Sequence, residues 1–117
     1  MSPDLENNYV DVRRLIVFLE RSIEQGIQWA TFEPNTDRLW ARVRESVFDL
    51  LLQQWQSGAL KGARPEEAFF VRCDRTTMTQ NDLDNGRLIC LVGVAPVRPA
   101  EFVTFQIGVT TGGSHRP

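Results

Sequence analysis

The 117-residue sequence has few of the side chains on which metal sites and thiol chemistry depend. It contains two cysteines, Cys73 and Cys90, and one histidine, His115. A structural zinc site takes four nitrogen or sulfur ligands, and the sequence has neither a CxxC pair nor a second histidine, so no metal site is predicted. Two cysteines cannot build a disulfide framework either, and both lie in apolar stretches, where a free thiol behaves as a small buried hydrophobe.

Catalytic motifs are missing as well. The sequence has no glycine-rich phosphate loop, no HExxH and no GxSxG. His115 lies in a glycine- and serine-flanked tail, where a general base would not be held in position. Cys73 has no structured histidine that could activate it. We therefore predict that the chain is not an enzyme and that it takes no cofactor and no small-molecule substrate.

Long apolar runs and a strong net charge are also absent. No stretch approaches the roughly 18 apolar residues of a membrane-spanning helix, and the polar start does not resemble a signal peptide, so no membrane is predicted and the cytoplasm fits best. A formal net charge of -2 gives no broad attraction to nucleic acid. Lysine occurs once beside twelve arginines, which suits protein interfaces, although a GC-rich genome would give the same bias.

Two amphipathic helices are predicted in the first half of the chain. Apolar residues that recur every three and four positions predict a helix over about 12–31, with Asp11 as its N-cap. Asn35 follows a proline-containing break and is predicted to cap a second helix, which ends before Gly58. The short link between them indicates an antiparallel pair.

The period changes to that of strands after residue 62. The segments 69–73 and 87–95 are predicted strands, and the second is apolar on both faces, as in a covered central strand. Between them, Thr79 is placed to cap one short helical turn. The last strand, 101–109, alternates, with one face formed by Val103, Phe105, Ile107 and Val109. The order of elements predicts an α+β fold, in which two antiparallel helices pack on a small, mostly antiparallel sheet.

The last strand permits two interpretations. It is either the ordinary edge of its own sheet or an arm that adds to the sheet of a neighbouring chain through main-chain hydrogen bonds. The pattern alone favours the ordinary edge strand. An exposed edge is an aggregation hazard unless a partner covers it.

The arginines of the helices are the second feature that permits more than one interpretation. Arg13 and Arg14 open the first helix, and Arg38 and Arg42 lie one turn apart on the second. They form either a plain solvated face or a surface for an acidic protein partner. A nucleic-acid-binding module is a more remote alternative, because the sequence shows no dense basic face.

Six segments, in this order along the chain, resemble the C-terminal domain of phage tail sheath proteins. They are Tyr9–Leu15, Phe32–Asn35 with Leu39–Trp40, Trp55–Leu60 with Gly62, Ala68–Asp74, Asn85–Arg87 and Val94–Phe102. The resemblance covers about residues 9–109. Residues 1–8 are then a flexible lead and residues 110–117 a flexible tail.

This resemblance implies a structural role. Sheath subunits of phage tails and related contractile injection systems polymerise around an inner tube, and neighbours are joined by exchanged arms that add strands to a small sheet. Carried onto this chain, the receiving sheet is built from 69–73 and 87–95. The tube- or partner-facing candidates are Arg13, Arg14, Arg38 and Arg42. The candidates for strand exchange are Glu101, Phe102, Val103, Phe105, Ile107 and Val109.

The same resemblance leaves an alternative for the role of the chain. Full sheath proteins carry a large outer region and an N-terminal arm before this domain, and neither is present in this sequence. The chain is expected to be a fragment, a split gene product or a small paralogue. As a paralogue it would serve as an adaptor or cap at a tail end or baseplate. In either case the expected location is the cytoplasm during assembly and then the tail or injection particle.

Overall fold

A computed structural model describes residues 3–97 and 101–112, with side chains from residue 11 onward. In chain order the elements are α1 (Pro3–Gly26), a 3₁₀ helix (Gln28–Phe32), α2 (Asp37–Gln56), α3 (Pro65–Ala68), β1 (Phe69–Arg72), α4 (Gln80–Asp84), β2 (Arg87–Val94) and β3 (Val103–Thr110). The strands form one antiparallel sheet in the order β1-β2-β3. The predicted α+β class is therefore confirmed: the described residues form four α-helices and a three-stranded antiparallel sheet.

The first helix is longer than the sequence pattern indicated. It begins at Pro3, so Asp11 lies inside it and the predicted N-cap at Asp11 is wrong. Residues 4–10 contain neither glycine nor proline, so nothing interrupts the helix there, and proline is compatible with a first helical turn. The helix thus includes most of the segment assigned to a flexible lead. After Gly26 the chain tightens into the 3₁₀ helix, as is common at the ends of α-helices.

The second helix is capped by a different residue from the one predicted. The Thr36 hydroxyl accepts a hydrogen bond from the Leu39 amide at 3.3 Å, so Thr36 is the N-cap. Asn35 instead accepts a hydrogen bond from Trp40 Nε1 at 2.7 Å and donates one from Nδ2 to the Arg87 carbonyl at 3.2 Å. Its amide side chain has both a donor and an acceptor, so Asn35 joins the start of α2 to the start of β2.

The hydrophobic core lies between the helices and one face of the sheet. From β2 it receives alternate residues, each 0% exposed: Leu88, Cys90, Val92 and Val94. From α1 and α2 it receives the apolar positions that recur at helical spacing, which are Leu19, Ile23, Ile27, Leu39, Trp40, Val43, Val47 and Leu51. The helical periodicity of the sequence therefore identified the buried faces correctly.

The other face of the sheet, which we call the outer face, is only half covered. β2 is the central strand, as predicted, but Ile89 and Leu91 on this face are half-buried. Phe70 of β1 lies across Gly93 so closely that a Cβ atom at Gly93 would be 2.1 Å from Phe70 Cε2. The side chain of Phe70 thus fills the space that any residue larger than glycine would need.

The chain remains packed beyond the last strand. β3 ends at Thr110, and the amide of the buried Thr111 donates a hydrogen bond to the Gly86 carbonyl at 2.7 Å. The Gly112 amide donates to the Glu33 carbonyl at 2.9 Å. Residues 110–112, assigned to the flexible tail from the sequence, are therefore fixed by backbone hydrogen bonds. His115 lies outside the described residues, and the domain limits of 9–109 stay a prediction.

The polar segment between β1 and β2 contains the predicted short helix. Thr79 caps α4, and its hydroxyl accepts a hydrogen bond from the Asp82 amide at 3.0 Å. Asp82 returns the contact by accepting from the Thr79 amide at 2.9 Å and also from the Arg87 guanidinium at 2.9 Å. These hydrogen bonds hold the pKa of Asp82 below its usual range, and the hydrogen bond from the Thr79 amide has the largest effect.

We expect Asn35→Ala to lower the free energy of unfolding by about 1–3 kcal/mol, since it leaves the Trp40 indole N–H without its acceptor. Urea unfolding followed by circular dichroism measures the loss. Gln53→Ala, an exposed position on α2, is the matched control and is expected to change stability by less than about 0.5 kcal/mol. Equal stability of the two variants would show that Asn35 does not link helix and sheet.

Candidate assembly interface

The sheet has two edges that are unpaired within the chain. β1 and β3 each pair with β2 only, so the outer side of each strand has no strand beside it among the described residues. The unpaired N–H and C=O groups of such an edge are a template for a strand from another chain. β1 presents four residues and β3 presents eight.

Four of the predicted exchange residues lie in β3, on its core-facing side. Ile107 is fully buried, Phe105 and Val109 are half-buried, and Val103 is 38% exposed. The predicted common face of these four residues is confirmed by their register, since they oppose the buried positions of β2. From Ile107 towards its first residue, β3 therefore becomes progressively more exposed.

The other two predicted exchange residues precede the strand. Glu101 and Phe102 are exposed and lie outside β3. The Phe102 ring packs edge-to-face on Phe70, with centroids 5.2 Å apart and ring planes at 88°. Sequence reasoning missed this contact. The available signal was Gly93, because a glycine inside a strand often marks the close approach of another group.

The connector between β2 and β3, residues 95–102, is anchored at its start. The Ala95 amide donates to the Ala68 carbonyl and the Ala95 carbonyl accepts from the Lys61 amide, both at 2.8 Å. The connector is much longer than the two-residue turns that usually close hairpins. Its length therefore does not by itself force β3 to pair with the β2 of its own chain.

The four candidate arginines are exposed and divide between two surfaces. Arg38 and Arg42 on α2 border a shallow groove beside Glu33. Arg42 lies 4.5 Å above the centre of the Trp29 ring and forms an ion pair with Glu33 at 3.3 Å. Arg42 thus braces the junction between the 3₁₀ helix and α2.

The α1 arginines lie on a second surface, which is formed by one face of α1. Arg13 and Arg14 lie there with Arg21 beside Val17 and Phe18, which are 44% and 51% exposed. Large apolar side chains at this exposure, next to cationic groups, are typical of a protein contact surface. The structure does not bring the α1 pair and the α2 pair into one groove.

A polar contact that the sequence did not indicate lies at the end of β1. Arg44 of α2 donates a hydrogen bond from Nη1 to the Cys73 carbonyl at 2.6 Å. The Cys73 and Cys90 side chains are both 0% exposed. The pKa of Cys73 lies far above its usual range. The main cause is a hydrogen bond with the Cys90 thiol, and the second cause is burial.

Beside β1 lies an exposed aromatic side chain of α2. Phe48 is 44% exposed, and its ring packs edge-to-face on the buried Phe69 of β1 with centroids 5.1 Å apart. The unpaired edge of β1 is therefore accompanied by an apolar surface. Sequence reasoning assigned no role to Phe48.

The described residues provide neither a metal site nor a helix that could span a membrane. Residues 3–97 and 101–112 contain no group of three or more histidine, cysteine or acidic side chains placed to hold a metal ion. Among the described helices, none combines the length and apolar character needed to cross a bilayer.

An α+β domain with two unpaired sheet edges and exposed aromatic side chains has the surface of a protein-assembly module. The model of the phage tail sheath C-terminal domain family matches residues 2–110. The chain belongs to this family, and the resemblance inferred from the sequence is confirmed.

Two solved assemblies contain similar chains. In the 6-fold symmetrised cryo-EM structure of the anti-feeding prophage baseplate, the similar chain is 46% identical with a TM-score of 0.70, over 79% of this chain and 26% of that one. The second is the PVC sheath complex of an extracellular contractile injection system in its contracted state. Its similar chain is 44% identical with a TM-score of 0.68, over 82% of this chain and 27% of that one. This chain thus corresponds to a minor part of each solved chain. No curated protein matches it. The family and both assemblies are structural, which argues against catalysis.

Proposed function

We propose that this chain is a structural domain of a contractile sheath, which polymerises with other sheath subunits around an inner tube. The family match over residues 2–110 carries this proposal. Likeness to a chain in a contracted sheath complex supports it. The expected location is the cytoplasm during assembly and the phage tail or injection particle afterwards. The domain needs no cofactor and acts on no small molecule.

Neighbouring subunits are joined through β3. In this proposal β3 of one copy takes the same place beside β2 of a second copy that it takes in its own chain, where eight residue pairs run from Arg87↔Thr110 to Val94↔Val103. Such an exchange keeps every ladder hydrogen bond while it links two chains. The long connector, 95–102, supports the proposal, since it permits β3 to leave its own β2. The exchange interface consists of Glu101, Phe102, Val103, Phe105, Ile107 and Val109.

The edge of β1 is the second place where a neighbour would bind. A strand added there would satisfy the unpaired groups of Phe69–Arg72 and would cover part of Phe48. Covering an aromatic side chain that is 44% exposed adds apolar burial to the ladder of hydrogen bonds. Both outer strands of the sheet would then be supplied by other subunits.

The arginine-bearing helices are proposed to face the inner tube or another acidic partner. Arg13 and Arg14 are the stronger pair, because they adjoin Val17 and Phe18, so that one partner would meet both cationic and apolar surface. Arg38 and Arg42 form the second pair. Arg42 is already held by Trp29 and Glu33, so its replacement would also affect the fold.

A disulfide trap between two copies tests the exchange. Leu91 and Gln106 are cross-strand partners on the outer face, and each would be replaced by cysteine in a separate variant. When the Leu91→Cys and Gln106→Cys variants are assembled together and treated with a disulfide oxidant, we expect a mixed dimer on non-reducing electrophoresis. Mixing Leu91→Cys with Thr104→Cys is the matched control, because Thr104 lies opposite Gly93 instead. The unmodified chain measures any background from its two buried cysteines.

Strand exchange is contradicted if concentrated samples give no mixed dimer while the double variant Leu91→Cys/Gln106→Cys closes its disulfide within one chain. β3 would then be a permanent part of its own sheet. The likeness to a chain of a baseplate supports the second candidate, an adaptor or cap. That candidate predicts stoichiometric binding to one sheath or baseplate protein, with no growth of polymers in light scattering.

A further inference from the structure

The pattern of β3 does not by itself determine its register. Its core-facing positions are all apolar, and its outer positions Thr104, Gln106, Gly108 and Thr110 are all small or polar. A slip of one residue would exchange the two faces and is excluded by burial. A slip of two residues keeps each side chain on its face, and the long connector, 95–102, does not prevent it. The alternation of β3 therefore leaves this slip open, and contacts at the ends of the strand are needed to oppose it.

Two contacts lie immediately outside the strand, one at each end. Phe102 directly precedes β3 and packs on Phe70, which in turn lies across Gly93. Thr111 directly follows β3, and both its amide and its hydroxyl donate hydrogen bonds to the Gly86 carbonyl, at 2.7 and 2.6 Å. The eight residues of β3 fill the interval between these two contacts.

We infer that Phe102 and Thr111 set the register of β3 and thereby select the sheet to which it can add. A slip of two residues in either direction would remove Phe102 from Phe70 and Thr111 from the Gly86 carbonyl at the same time. A receiving sheet must offer an aromatic residue at position 70, glycine at position 93 and the turn at Gly86. A second copy of this chain offers all three.

The glycine at position 93 is part of this selection. A Cβ atom there would lie 2.1 to 2.7 Å from three atoms of the Phe70 ring, so the ring would have to move. Gly93→Ala therefore removes the docking position of Phe102 without changing Phe102 itself. Gly86, whose φ is +70°, allows the turn that presents its carbonyl to Thr111.

The inference about the register within one chain depends only on these contacts. The choice of a second copy as the receiving sheet rests in addition on the proposed exchange. Three double-cysteine chains report the register: Leu91→Cys with Gln106→Cys for the observed pairing, and Leu91→Cys with Thr104→Cys or Gly108→Cys for the two slipped pairings. Each chain is oxidised, digested and analysed by mass spectrometry. Since peptide mapping identifies the bonded positions and electrophoresis separates bonds within and between chains, the two proposals are tested separately.

We expect the slipped pairings to rise relative to the observed pairing by roughly tenfold in Phe102→Ala, because the edge-to-face contact is lost. Gly93→Ala is also expected to raise the slipped pairings. Thr111→Val combined with Phe102→Ala is expected to raise them more than Phe102→Ala or Gly93→Ala does alone. Phe102→Tyr keeps the ring and is expected to keep the observed pairing. Phe18→Ala removes an aromatic side chain of similar exposure from α1 and is the matched control.

The inference would be overturned if the ratio of slipped to observed pairing stayed unchanged both in Phe102→Ala and in Thr111→Val combined with Phe102→Ala. Far-UV circular dichroism checks that each variant is folded. If Phe102→Ala is unfolded, Phe102→Leu takes its place, since leucine keeps the apolar volume but not the edge-to-face geometry, and the same rise is required of it.

Discussion

Ile107→Asp is expected to unfold the isolated chain. Ile107 is 1% exposed and opposes Cys90, which is 0% exposed, so the new carboxylate would be enclosed in the core. Enclosing an unpaired charge costs several kcal/mol or more. A domain of this size has only about 5–15 kcal/mol of stability in total. Urea unfolding monitored by circular dichroism should therefore show a large loss of native signal even without denaturant.

The neighbouring residue supplies the control for this prediction. Gln106→Asp places the same carboxylate one residue away, on the exposed outer face, and is expected to change stability by about 0.5 kcal/mol or less. Should Ile107→Asp remain as stable as Gln106→Asp, β3 would not be packed in its own chain. That outcome would favour a free arm, which packs only after it reaches another subunit.

The thiols of Cys73 and Cys90 are expected to react at least about 10³-fold more slowly in the folded chain than in the unfolded chain. Both are 0% exposed, so a reagent reaches them only after the fold opens. The contact with the Cys90 thiol and burial raise the pKa of Cys73, so the reactive thiolate is scarce as well. An aromatic disulfide reagent, used with and without urea, measures both rates.

A Thr104→Cys variant provides an exposed thiol on the outer face for comparison. If the native cysteines react as fast as this thiol, the core around β2 is open in solution. The raised pKa also gives the sign of the pH dependence. The unfolded chain loses the Cys73 proton near the ordinary value of 9.0 while the folded chain keeps it. This contribution to stability is thus fully present below about pH 9 and declines above it.

The strength of the sequence patterns explains which elements could be predicted. Both long helices carry an apolar stripe at helical spacing, and the buried residues of α1 and α2 lie on those stripes. Alternation identified the core-facing side of β3 in the same way. The C-terminal end of α2 was also predictable, because Ser57 is followed by Gly58 in a left-handed conformation. In each case the physical cause lies within a few residues along the chain.

Contacts between distant residues explain the failures. Asp11 looked like a helix start because capping patterns are short, but the helix continues to Pro3. Asn35 looked like a cap, whereas its partners are Trp40 and the carbonyl of Arg87, which is 52 residues away. Thr111 and Gly112 fall in a segment that looked frayed, whereas their amides donate hydrogen bonds to the carbonyls of Gly86 and Glu33. No local pattern reports a hydrogen bond of this kind.

The sequence by itself determined the fold class, the buried faces and the family, because each depends on periodicity or on ordered local segments. Only the tertiary structure decided that β3 pairs with β2 of the same chain in one register, that Arg42 is held by Trp29 and Glu33, and that Phe70 lies across Gly93. These features depend on which surfaces meet when the helices and strands pack. Alternation alone excludes a slip of one residue but leaves a slip of two residues open, and contacts beyond the alternating pattern distinguish these registers.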